Sequence, residues 1–153
     1  MNQSPTAKAQ LAAFLSRFPA GTVALAKRCL ARLRRAFPGA YELVYDYPRS
    51  VVVAFGTSER GYEAIVALAL DDRGVRLYFD KSLPDPQGLL EGTGAKVRSV
   101  AVQAASDLDH GAIPALLKAA RQHAGASFPR TGATRLVIKS GSKRRKRRRA
   151  APA

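Results

Sequence analysis

The chain has 153 residues and is 46% hydrophobic, the length and apolar content of one ordinary domain with a real core. Twenty-six lysines and arginines against 11 acids give a net charge of +15, which points to polyanionic partners. A solitary cysteine, Cys29, excludes an intramolecular disulfide and a cysteine-based metal cage.

Leu11, Phe14, Leu15 and Phe18 recur at helical spacing and predict a short first helix. Pro19-Ala20-Gly21 interrupts it, and the proline suits the opening turn of a second helix. There Val23, Ala26, Leu30, Leu33 and Phe37 share one face, with Cys29 beside them as a small core residue. Arg28, Arg32 and Arg35 form a stripe on another face, and Pro38-Gly39 ends the helix. From Tyr41 the period becomes strand-like, with strands expected near 41–47, 50–56, 62–70, 74–80 and 96–102. Pro48-Arg49, Thr57 to Gly61 and Asp71 to Gly74 supply the turns, so successive antiparallel hairpins are the simplest connection. Leu83 to Gly94 reads as a long connection, or as a crossover with one short helical turn around Gln87 to Leu90. A last helix is expected over 107–124, with Ser106, Asp107 or Asp109 as its cap and regular helix starting a few residues before Pro114. Thr134 to Ser140 is either one more strand or a packed extension. The expected fold is α+β, a two-layer sandwich of about five antiparallel strands with two helices on one face.

The segment ELVYDYPRSVVVAFGTSERGYEAIVALALDDRGVRLYFDKS, followed by LPDPQGLLEGTGAKVRSV, resembles the YdhG-like family of small bacterial domains of unknown function. The most specific parts are Thr57-Ser58-Glu59-Arg60 and the string Leu83 to Gly94, and LVIKS before a basic end is similar to a tail of some members. The resemblance covers about residues 10 to 142 and implies a frataxin-like fold: a helix, a five-stranded sheet and a helix. One branch of that family has been proposed to carry iron, by analogy with frataxin, which makes metal delivery the alternative function. The resemblance implies no catalytic residue.

Several motifs bear on chemistry. Gly92, Gly94 and Lys96 suggest a phosphate cradle, but a P-loop needs Gly-Lys-Ser/Thr in succession and a following helix. Here Ala95 intervenes and a strand follows, so a structural turn is expected, with a nest of backbone amides as the alternative. The stretch Arg60 to Ala67 opens like an RNA-recognition signature, yet Glu63, Ala64 and Ala67 stand where small and stacking residues belong. Asp107, Asp109 and His110, or Asp71 and Asp72, would suit a hard metal. Capping and turn chemistry account for the same residues without one. His110 and His123 have no serine or cysteine at telling spacing, so neither an enzyme nor a cofactor is expected.

The cations remain. Lys143, Arg144, Arg145, Lys146, Arg147, Arg148 and Arg149 run without interruption, and residues 139–149 hold eight of the 26 basic side chains. The other 18 against 11 acids leave +7 on the body. Residues 1–138 are therefore expected to be the domain and 139–153 a disordered basic tail. The expected function is non-specific nucleic-acid binding through the tail and Arg28, Arg32 and Arg35, because phosphate contacts carry no base information. No apolar run approaches the ~20 residues of a membrane span, the tail lacks aromatic or leucine anchors, and the start MNQSPTAKAQ does not read as a signal peptide. The expected setting is cytoplasmic.

Overall fold

The computed structural model describes residues 6–125, 128 and 132–139, with Tyr62 described by its backbone only. Two helices come first, α1 (Ala7–Leu15) and α2 (Ala20–Ala36). Five strands follow: β1 (Tyr41–Asp46), β2 (Val51–Gly56), β3 (Ala64–Asp71), β4 (Gly74–Asp80) and β5 (Val97–Val102). Helix α3 (Ala112–Ala124) and a last strand, β6 (Arg135–Ile138), complete the order.

Local chemistry sets most of the boundaries. The Thr6 hydroxyl accepts the Ala9 amide and caps α1. Pro19 is the N-cap of α2, where its missing amide hydrogen costs nothing. The Asp71 carboxylate takes the Arg73 amide at 2.8 Å, and Gly74 at φ 121° completes the β3–β4 turn. Pro114 is the third residue of α3, in agreement with a helix that starts just before it.

The α3 cap is a correction. Residues Ala105–Leu108 form a separate 3-10 turn, and the α3 N-cap is Gly111 with no side-chain cap. Asp107 instead reaches back to the amides of Gln103 and Ala104, so it terminates β5. The β4–β5 connection holds a turn and no helix. Asp85 takes the amides of Leu89 and Leu90, and Glu91 bridges to Ser99 in antiparallel register.

The six strands form one sheet in the order β5-β4-β3-β2-β1-β6, antiparallel except for β1 with β6. All three expected helices pack on this open sheet, rather than two of them. Residues on one face of each strand enter the core: Val44, Val51, Val53, Phe55, Leu68 and Leu77 among them. They meet Leu11 and Leu15 of α1, Leu30 and Leu33 of α2, and Leu116 and Leu117 of α3. Burying each such side chain contributes roughly 1.5–3 kcal/mol of transfer free energy. Strand alternation then sends Tyr41, Tyr45, Ala54, Ala67, Arg76 and Tyr78 to the opposite face, which carries no helix among the described residues.

Candidate nucleic-acid interface

Helix α2 buries Ala26, Cys29, Leu30 and Leu33, so the 3.6-residue period places Arg28, Arg32 and Arg35 off its core face. Arg28 and Arg35 are exposed and Arg32 is half-buried. Positions 28, 32 and 35 lie four and three residues apart and so form one ridge. No ion pair or side-chain hydrogen bond engages Arg28, Arg32 or Arg35 among the described residues.

Arg34 has a different fate. Its Nε and Nη2 donate to the two carboxylate oxygens of Glu42 at 2.8 and 2.9 Å, and Glu42 is 1% exposed. That fork holds the Arg34 guanidinium above its ordinary pKa, chiefly through the hydrogen bond to Glu42. The Thr134 hydroxyl also donates to Glu42, so the pair ties α2, β1 and the entrance to β6 together. The seven cations Lys143 to Arg149 lie outside the described residues.

On the helix-free face the sheet gathers aromatic rings that are scattered in the sequence. Tyr45 and Tyr47 stack with centroids 6.2 Å apart and planes 6° from parallel. The Arg135 guanidinium lies 4.5 Å above the Tyr41 ring and donates to its hydroxyl at 2.9 Å. Burial, and then the neighbouring Tyr47, push the Tyr45 phenol above its usual pKa. The Tyr45 hydroxyl occupies the space that a Cβ on Gly61 would need, so the β2–β3 connection leans over this face. Between that connection and the ends of β4 and β5 lies a groove of about 620 Å³, with Ala67, Tyr78, Lys81, Lys96 and Val97 along it. The basic run in the sequence carries no aromatic residue. Strand alternation placed the tyrosines together, and the signal was present in the 41/43/45 and 76/78 spacing.

A second cluster joins residues 41 positions apart. Ser82 Oγ lies 2.8 Å from His123 Nε2 and donates to Asp80 Oδ1 at 2.5 Å. The Ser82 amide also donates to Asp80, at 2.8 Å. Both Ser82 groups, with His123 adding to them, hold the Asp80 carboxyl below its usual range. So His123 does have a serine neighbour, which the sequence spacing hid. The polarity is wrong for a nucleophile, however. The single hydroxyl hydrogen is committed to Asp80, so the imidazole faces the oxygen as a donor rather than as the accepting base.

The remaining candidates do not assemble. Asp107 is occupied by backbone amides, and no group of three or more His, Cys, Asp or Glu side chains comes together among the described residues. The carbonyl of Gly94 accepts from Arg98, and a Cβ on Gly94 would meet the Val97 carbonyl, which is the packing of a turn. Arg60 to Glu63 leads into a 3-10 turn and β3 starts at Ala64. No described helix is long and apolar enough to cross a membrane. Comparison with protein-family models, with curated proteins and with solved structures found no match.

Proposed function

We propose that this chain is a non-enzymatic domain, of the YdhG-like kind with its frataxin-like fold, that binds nucleic acid through phosphates. The fold reading is supported by the order of helices, antiparallel meander and helix, to which the chain adds a sixth strand. The observation that carries the function is the α2 ridge: Arg28, Arg32 and Arg35 are held on a folded scaffold with no acid paired to them among the described residues. A rigid ridge presents charge at fixed spacing, and the basic run Lys143 to Arg149 extends the field. Contacts of this kind position a strand without reading its bases.

The test is a salt titration of duplex DNA binding by fluorescence anisotropy. Six to eight phosphate contacts give a slope of log affinity against log salt of about −5 to −7. Replacing Arg28, Arg32 and Arg35 together by alanine makes that slope shallower by about 0.9 per lost contact. Replacing the cations 143–149 by glutamine in the full chain removes most of the remainder. Binding that ignores potassium chloride, or that survives both sets of substitutions unchanged, refutes the proposal.

A further inference from the structure

The geometry points to a second, chemically different site on the side of the sheet away from the helices: a stacking platform for single-stranded nucleic acid. It rests on the phosphate-binding reading above and adds to it the strandedness of the ligand. Tyr45 on β1 and Tyr78 on β4 stand on either side of Ala54 and Ala67, because the registered row across the sheet is Leu43, Ala54, Ala67 and Tyr78, and the next is Tyr45, Val52, Ala69 and Arg76. Leu43, Ala54 and Ala69 are buried at 0%, 5% and 9% exposure, whereas Tyr41, Tyr45 and Tyr78 are half-buried and keep part of each ring accessible. Tyr41, capped by Arg135, extends the aromatic row toward the β6 edge. Val97, which is 44% exposed, is the one exposed large hydrophobic side chain among the described residues, and it opens onto the same groove as Tyr78. That groove, at about 620 Å³, lies within the ~300–1,000 Å³ typical of organic ligands.

Charge selects the occupant. Lys81 and Lys96 lie at one end of the groove, joined through a 2.8 Å backbone hydrogen bond, and both are exposed. Arg135 stands at the β6 edge, and Arg49 projects from the turn beyond Tyr47. Of the acids nearby, Asp80 lines the groove and is bonded by the Ser82 amide and hydroxyl, Glu91 is engaged by Arg76 and Asp71 by Arg73. A face of rings rimmed by cations repels this chain's own basic end and a second copy carrying +15, and it attracts a polyanion. Rings favour unpaired strands over duplex. Bases in a duplex hide their faces against each other, whereas single strands splay them onto aromatic side chains while lysine and arginine follow the backbone.

The protein contains five tyrosines and no tryptophan, so its intrinsic fluorescence reports directly on these rings. Titration of the full-length protein with oligo(dT) is expected to quench that emission, and duplex DNA of equal phosphate count is expected to quench it far less. Tyr45→Ala and Tyr78→Ala each weaken oligo(dT) binding by about five- to a hundred-fold, while Tyr45→Phe and Tyr78→Phe keep the affinity, since the ring and not the hydroxyl stacks. Photocrosslinking of an iodouracil-substituted oligonucleotide to the unaltered protein needs no variant to fold, and the adduct is expected on Tyr45 or Tyr78. Crosslinks confined to α2 or to residues 143–149, with unquenched tyrosine emission, overturn the platform and leave the phosphate proposal intact. Absence of binding to single strand and duplex alike at low salt removes both.

Discussion

Replacing Arg34 by alanine strands a carboxylate. Glu42 is 1% exposed and receives two charged hydrogen bonds, at 2.8 and 2.9 Å, from one guanidinium. Removing one partner of a fully buried pair costs about 3–5 kcal/mol, because the other charge stays desolvated and alone. Two features lower that figure here. The Arg34 side chain is 42% exposed, so water already screens part of the attraction, and Thr134 continues to donate to Glu42. The expected loss is therefore about 2–3 kcal/mol, a fall in Tm of roughly 5–10 °C for a chain of this size. Thermal unfolding followed by circular dichroism, with urea titration as a cross-check, measures it. The double variant Arg34→Ala/Glu42→Leu recovers part of the loss, because it removes the stranded charge as well. A Tm within about 1 °C of the unaltered protein for Arg34→Ala, or a double variant equal to the sum of its singles, refutes the reasoning.

Two further outcomes concern titrating groups. Burial pushes the Cys29 thiol up to about 12, so it resists thiol reagents at pH 8 in the folded protein and reacts as one equivalent after unfolding in guanidinium. A thiol raised in the folded state contributes its stability fully below the unfolded value of ~8.5 and loses it as the pH climbs toward 12; rapid labelling of the native protein contradicts this. Asp80 has the opposite sign: its carboxyl is held down by Ser82, so its contribution is present above the unfolded value of ~3.9 and is lost as acid titrates the folded group. Ser82→Ala moves the Asp80 carboxyl titration upward by NMR, and an unmoved curve means that the hydroxyl is not its main partner.

Short-range signals wrote most of the fold into the chain. A period of 3.6 marked α2, whose apolar and cationic faces fall as the spacing requires, and a period of 2 marked β1 to β5 to within about two residues. Pro19 and the Asp71–Gly74 turn punctuated them through their own backbone restrictions. Asp107 shows the limit of such signals: a carboxylate near a helix start reads as a helix cap, yet the nearest free amides were those of Gln103 and Ala104 on the other side.

What the folded chain alone decided is which distant pieces meet. Four residues, Arg135–Ile138, add to β1 in parallel 94 positions from Tyr41, and no local period announces such a partner. Glu42 gained Arg34 and Thr134, and Ser82 gained His123, through packing of whole elements rather than through spacing. The tyrosines follow the same logic. Alternation within a strand determined that Tyr41 and Tyr45 share a side, as do Arg76 and Tyr78. That these sides coincide, and lie opposite the helices, was settled by the pairing order of the sheet and by which face the helices bury. Local sequence encodes backbone preference and amphipathicity. Neighbours across space are chosen by the one arrangement that buries every apolar face together.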